Sequence, residues 1–341
     1  MDNKNDNFSY EKIIYSDNIN LADASLGATV LNVSDDFFAP AIRLIDPNAP
    51  KFIPNLYDQN GKWMDGWETR RRRSSGHDYC VIKLAFPGLI ETVLVDTTYF
   101  TGNSPMAISM DYIFLPGLEN LENTNSWHQL LDYTLVASDS ENLLRITKPQ
   151  LATHVRFNIY PDGGVARLKV IGHVDIKCTT PSTNDFGEID MISMENGGRV
   201  IACNDNHYGN PLNLIKPGAG TNMGDGWETR RRRYPGNDWC IFKMFAPCKI
   251  SRIEVDTSFF KGNFPSECSI QALEYSDNAN DDNLLIFQSI FWPEILQKVS
   301  IKADNIVNFS IIESDKSYSH VKLNIYPDGG VSRFRIWGYP S

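Results

Sequence analysis

The nine residues DGWETRRRR stand at Asp65–Arg73 and again, letter for letter, at Asp225–Arg233. The likeness continues on both sides of this string. Ile19–Ile45 aligns with Ile189–Ile215 at an offset of 170, which matches Gly27 to Gly197 and Asp35 to Asp205. At an offset of 160, GHDYC (Gly76–Cys80) meets GNDWC (Gly236–Cys240), and VDTTYFTGN (Val95–Asn103) meets VDTSFFKGN (Val255–Asn263). Near the end the offset is 166, pairing HVRFNIYPDGGVARLKVIG (His154–Gly172) with HVKLNIYPDGGVSRFRIWG (His320–Gly338). Self-similarity of this extent means one supersecondary unit written twice. The expected organisation is a first repeat over 1–176, a linker over 177–185 containing the polar stretch CTTPSTND, and a second repeat over 186–341. A length of 341 residues, at roughly 150 per domain, allows each repeat its own core.

Each repeat reads as β structure. In VRFNIY, Val155, Phe157 and Ile159 alternate with Arg156, Asn158 and Tyr160, which puts the apolar trio on one face of a strand. PDGG supplies the turn, since Pro fixes φ and the glycines tolerate positive φ. On the return strand Ala166, Leu168 and Val170 point inward and Arg167 and Lys169 outward. The second repeat keeps this parity, with Ser332, Phe334 and Ile336 against Arg333 and Arg335. Short β-branched runs such as Cys80–Phe86 and Ile250–Phe260 are bounded by Gly, Pro and Asn, and no long helical periodicity is present. An all-β sandwich of eight or so strands per repeat is expected.

Charge and cysteine usage exclude several classes. The 32 Lys and Arg against 42 Asp and Glu give a formal charge of −10, which argues against a nucleic-acid or anionic-membrane binder and makes the arginine runs local exceptions. The N-terminus lacks the apolar core of a secretory signal, and no apolar run is long enough to cross a bilayer, so a cytoplasmic protein is expected. The six cysteines form no C-x-x-C pair or regular ladder, and reduced, mostly buried thiols follow.

The order of DG, Thr, a basic or aromatic strand, an apolar strand and a closing strand–turn–strand resembles the galactose-binding-like jelly roll. The duplicated DGWETRRRR, the GHDYC and GNDWC pair and the duplicated IYPDGGV resemble the allantoicase family over almost the whole chain; Tyr79 opposite Trp239 is an aromatic exchange within that pattern. The resemblance implies a hydrolase that converts allantoate to ureidoglycolate and urea. The other function in play is a non-catalytic tandem carbohydrate- or ligand-binding module, because jelly rolls of this kind also serve as lectins.

Allantoate carries one carboxylate and two ureido groups on a single carbon, so its pocket needs a cation together with hydrogen-bond donors and acceptors. Arginine binds carboxylate through a planar fork and stays charged. If the run is a strand, alternate residues share a face, and four arginines cannot all reach one ligand. Arg70, Arg72, Arg230 and Arg232 are the expected substrate-binding residues. Asp65 and Asp225 join them, although each Asp–Gly pair suits a turn equally well. Expelling urea needs a positioned acid and base. The candidates are Glu68, His77 and Asp78 in the first repeat and His207, Glu228 and Asp238 in the second. His77 is replaced by Asn237 in the second repeat, and His207 stands where the first has Phe37. His154 and His320 are retained as a pair and read as structural, and Trp67 and Trp227 as core anchors. No H-E-x-x-H or H-x-H occurs, so no metal or cofactor is expected, while a divalent ion held by distant Asp and His side chains is left open. Which repeat reacts is also open, and the sequence leaves room for a homo-oligomer.

Overall fold

A computed structural model describes residues 14–15, 18–115, 126–175, 181, 183–274, 282–311 and 315–341. Of the expected linker, residues 177–180 and 182, with Cys178, lie outside the described residues. The chain divides into two compact units, one spanning Asn18–Thr179 and the other Thr180–Ser341, with Ile14–Tyr15 grouped with the latter. Both are all-β.

The first unit is built from β1 (Ile19–Asn20), β2 (Thr29–Val33), β3 (Asp78–Asp96), β4 (Ala107–Ile113), β5 (His128–Leu135), β6 (Glu141–Tyr160) and β7 (Arg167–Val174). All its pairings are antiparallel. Residues 78–83 of β3 pair with β2 and with the end of β6, which pairs in turn with β4, and β4 with β5. Residues 88–96 of β3 pair instead with β7 and the first part of β6, and β7 pairs with β1. The two long strands therefore belong to both groups. Register shifts between Arg145 and Gln150, and between Ala152 and His154, mark where the long ladder is interrupted.

The alternation read from the sequence places the core correctly: Val155, Phe157, Ile159, Ala166, Leu168 and Val170 are all fully buried. Trp67 and Trp227 are fully buried too, each donating its indole N–H at 2.8 Å to the carbonyl of Asp35 or Asp205. The turn behaves as expected, with Gly163 and Gly329 both at φ +139°.

One expectation is overturned. Arg167, Arg333 and Arg335, read as outward, are buried. The face away from the core is covered by loops that bind these guanidinium groups, and those of Arg167 and Arg333 are satisfied in full. Arg167 donates to the carbonyls of Asn48 and Asp65 and to the Asp65 carboxylate, and Arg333 does the same with Gly218, Ala219 and Asp225. A buried charge that is paired and fully hydrogen-bonded is the tolerated exception to outward polarity.

The second unit repeats the plan with β8 (Ile189–Asp190), β9 (Arg199–Cys203), β10 (Asp238–Asp256), β11 (Glu267–Glu274), β12 (Glu294–Ser300), β13 (Ile306–Ser310), β14 (Tyr318–Tyr326) and β15 (Arg333–Pro340). Here β13 and β14 share the part that the single strand β6 plays in the first. Ile14–Tyr15 pairs alongside β9. A short helix, α1 (Asp282–Gln288), lies between β11 and β12 and is the only α-helix among the described residues.

Candidate active site

Only Trp67–Glu68 and Trp227–Glu228 of the duplicated string form strand, each pairing with the Gly-Val that follows PDG. The arginines after them are held by acids from elsewhere. Arg70 binds Asp35 through its backbone N–H at 2.9 Å and its Nε at 2.6 Å; Arg230 binds Asp205 in the same way at 3.1 and 2.6 Å. Burial by itself would raise the Asp35 carboxyl, but these bonds from Arg70, with one from the Phe37 N–H, outweigh it and hold it below the usual range. Arg72 donates from Nη2 to the His77 carbonyl at 2.9 Å and lies 3.5 Å from Asp78, while its backbone N–H meets Asp162 at 2.7 Å. In the second repeat Arg232 reaches Asp238 at 2.9 Å and its N–H meets Asp328 at 2.8 Å. Arg71, Arg73, Arg231 and Arg233 are exposed and have no carboxylate partner among the described residues.

Each copy of the string is tied to other segments of its own sandwich. Glu68 accepts from Asn103 at 2.8 Å and Glu228 from Asn263 at 2.7 Å, so the TGN and KGN segments are tied to it. Thr69 exchanges hydrogen bonds with the Gly163 backbone, as Thr229 does with Gly329. Gly66 is required because any Cβ would strike the Val165 carbonyl and the Ala166 backbone. Burial raises the Glu68 carboxyl, and the Asn103 amide offsets this only in part.

A cavity of about 530 Å³ opens on the outer face of the first sandwich. Strand register builds it. Arg156 and Asn158 of β6 lie across from Asp111 and Ser109 of β4, Asn158 also lies across from Tyr79 of β3, and Gln129 of β5 lies across from Asp111. Tyr160, Tyr133, Asp132, His77 and Arg72 complete the wall. Arg156 is fixed by Asp111, which accepts from Nε at 3.0 Å and Nη2 at 2.8 Å. Asn158 donates to Ser109 and Asp111, both at 3.0 Å. Its Oδ1 is buried with no partner, and so is Nε of Arg72. A buried acceptor and a buried cationic donor left unsatisfied beside a cavity are what a polar ligand would complete.

The second repeat closes the corresponding face. Tyr79, His77, Asp111 and Arg156 are replaced there by Trp239, Asn237, Gln271 and Lys322. Leu285, Ile286 and Trp292, from α1 and the turn after it, pack on Ile201, Ala202, Trp239 and Ile241. Lys322 is buried, donating to Ser289 at 3.2 Å with its ammonium 5.0 Å from the Trp239 ring centroid. A different cavity of about 730 Å³ lies along Arg230–Arg233, with Glu228, Asn263 and Asp328 on its wall.

Of the residues expected from sequence, the first cavity therefore gathers His77 and Arg72, with Asp78 behind Arg72. Arg70 lies on a neighbouring cavity with Asp35 and Asp78. Glu228, Arg230 and Arg232 share the second-repeat cavity, and Asp238 is the buried partner of Arg232. His207 is exposed, edge-on to Tyr208 at 4.5 Å, and is not on that wall. Asp65 and Asp225 are bound to Arg167 and Arg333, at 2.9 and 2.7 Å. His154 and His320 bond through Nδ1 to the neighbouring Thr153 and Ser319 hydroxyls. Arg156, Asn158, Tyr160, Asp111, Asp132 and Tyr133 were not singled out by sequence. The outward positions of VRFNIY carried the signal, because Arg156 differs from its counterpart Lys322. Among the described residues no three His, Cys, Asp or Glu side chains stand close enough to hold a metal ion.

Comparison with known proteins adds the chemistry. The allantoicase repeat model matches twice, over residues 19–175 and 189–341. The chain is 47% identical over 322 residues to a probable allantoicase of Acinetobacter baumannii (strain SDF), covering 94% of this chain and 93% of the relative. A probable allantoicase of Photobacterium profundum is 46% identical, with 95% and 97% covered. The crystal structure of Saccharomyces cerevisiae allantoicase superposes with a TM-score of 0.79 at 31% identity, over 94% of this chain and 93% of that one. These matches do not favour a purely carbohydrate-binding module.

Proposed function

The chain belongs to the allantoicase family, and from that premise we propose that the cavity of its first repeat is where allantoate is hydrolysed to ureidoglycolate and urea, a step of allantoin breakdown. The observation that carries this placement is the pair of buried, unpartnered atoms, Asn158 Oδ1 and Arg72 Nε, on the wall that also holds an imidazole.

The substrate carboxylate lies against Arg156, whose orientation is set by Asp111, and against the free Nε–H of Arg72. Asn158 Oδ1 accepts a ureido N–H, so each unsatisfied atom gains a partner. His77 delivers a proton to the ureido nitrogen bonded to the central carbon. The C–N bond breaks with its electron pair leaving on urea, water adds to the central carbon, and the proton lost by that water restores the imidazole. Asp78 acts as a positioning residue through Arg72, while Glu68, bound to Asn103, is not on this wall. The five described cysteines are free and buried, the state that a reducing cytoplasm maintains, and a cytoplasmic setting is part of this reading.

Urea release from allantoate by the purified chain tests the proposal. Release is expected from the intact protein and from an Arg231→Ala, Arg233→Ala double variant, and is expected to be lost when Asn158 is changed to Leu. Full activity of Asn158→Leu would move the site elsewhere.

A further inference from the structure

The second repeat holds a smaller cavity, about 160 Å³, that its jelly-roll core does not need. Its wall includes Asp190, Ser193, Glu195, Gly218, Arg335 and Trp337. Three donors on it are buried without a hydrogen-bond partner: Ser193 Oγ, Arg335 Nη1 and Trp337 Nε1. Ser193 is 1% exposed, and Asp190 and Arg335 are each 6% exposed, so these groups are built in rather than draped over a surface.

The polar atoms are held in place. Nη2 of Arg335 donates to the carbonyls of Lys216 and Gly218, which turns Nη1 to within 3.3 Å of Asp190 Oδ2. Oδ1 of Asp190 is occupied by the backbone N–H groups of Ile192 and Ile336, both at 3.3 Å, leaving Oδ2 as the available acceptor. The Trp337 indole is braced by the Arg252 guanidinium, 4.8 Å from its ring centroid. The first repeat shares the backbone part of this, since Asn20 Oδ1 accepts from the N–H groups of Ala22 and Val170, but not the side chains on the cavity wall. The aligned first-repeat residues are Asn20, Asp23, Ser25, Lys169 and Ile171 in place of Asp190, Ser193, Glu195, Arg335 and Trp337.

We propose that this cavity is a binding site for a small, neutral, planar amide of the urea type. Indole, guanidinium and hydroxyl donors suit one carbonyl oxygen, and Asp190 Oδ2 accepts the N–H groups on the other side of such a molecule. Asp190 and Glu195 together outweigh the single positive charge of Arg335, so a carboxylate or other anion is disfavoured. The volume matches a ligand of a few heavy atoms, being about five times the roughly 30 Å³ share of one liquid water. The inference stands on the second repeat alone and does not depend on where allantoate reacts.

The indole Nε1–H resonance of Trp337, identified by its loss in Trp337→Phe, reports on the site in the intact chain. Titration with urea or acetamide should shift this signal saturably with a midpoint below roughly 100 mM, while sodium acetate should bind at least about tenfold more weakly. Arg335→Lys, which restores the first-repeat residue type, should weaken urea binding by at least about tenfold while the remaining indole signals stay in place. Three results would overturn the proposal: an unmoved Trp337 signal, which would mean water alone fills the cavity; a linear drift shared with the exposed indoles; or tighter binding of acetate than of urea.

Discussion

The imidazole of His77 lies against the ring of Tyr160, centroids 4.7 Å apart and planes 37° from each other, and both rings wall the first-repeat cavity. The matching pair in the second repeat is Asn237 and Tyr326, where the corresponding face is closed by α1 and Trp292. His77→Asn therefore writes a residue that the fold already accepts in that place. The catalytic rate should fall at least ~10²-fold, the lower end for losing a general acid or base, with an unchanged thermal midpoint. His207→Phe, which copies Phe37, should leave the rate intact. The opposite pattern would put the chemistry in the second repeat.

Arg156→Lys copies Lys322 and keeps the charge while removing the fork that Asp111 orients. A charge-assisted hydrogen bond is worth about 1.5–3 kcal/mol, so KM should rise by roughly 10- to 100-fold, with a smaller effect on kcat. Steady-state kinetics on allantoate separate the two. An unchanged KM would show that the substrate carboxylate lies elsewhere.

Asp65→Asn leaves Arg167 buried without its carboxylate, although the carbonyls of Asn48, Asp65 and Ala166 still accept from it. Breaking a buried pair costs about 3 kcal/mol or more, which should lower the melting temperature by several degrees in a unit of this size. The kinetic constants of the folded protein should not move. A change in KM with full stability would return Asp65 to the substrate, as its place in the duplicated string suggests.

Asp190 gives a pH signature. Burial pushes its carboxyl up to about 6, and Arg335 with two backbone N–H groups offsets this only in part. In the unfolded chain the group titrates near 3.8. Between those values the folded state binds more protons than the unfolded state, so this group makes stability fall as pH rises from about 4 to 6. Asp190→Asn, the first-repeat residue type, removes that contribution. Relative to the variant, the intact protein should melt at a higher temperature at pH 4.5 than at pH 6.5, and a constant difference would contradict the shift.

The fold was legible in particular residues. Val155, Phe157 and Ile159 gave the buried face of β6, the glycines of PDGG gave the turn, and the offsets gave the duplication. The site was only partly legible, because its walls come from strands that are neighbours in space and not in sequence. Nothing local in MDYIF or SWHQLLDY says that Asp111 and Gln129 face each other; that depends on the pairing of β4 with β5. The four arginines drew attention because they are adjacent, yet of the four only Arg72 lines the first-repeat cavity, while Arg70 is paired with Asp35 beside it. The outward positions of β6 were visible as an alternation. What distinguished them was the change from Arg156 to Lys322, where the second repeat buries an ammonium in place of an open guanidinium.

A crystal structure of the intact chain with a non-hydrolysable allantoate analogue locates the substrate. Analogue density is expected in the first-repeat cavity, with its carboxylate on Arg156 and Arg72 Nε and a ureido N–H on Asn158 Oδ1. Full occupancy along Arg230–Arg233 with the first-repeat cavity holding solvent alone would contradict this placement.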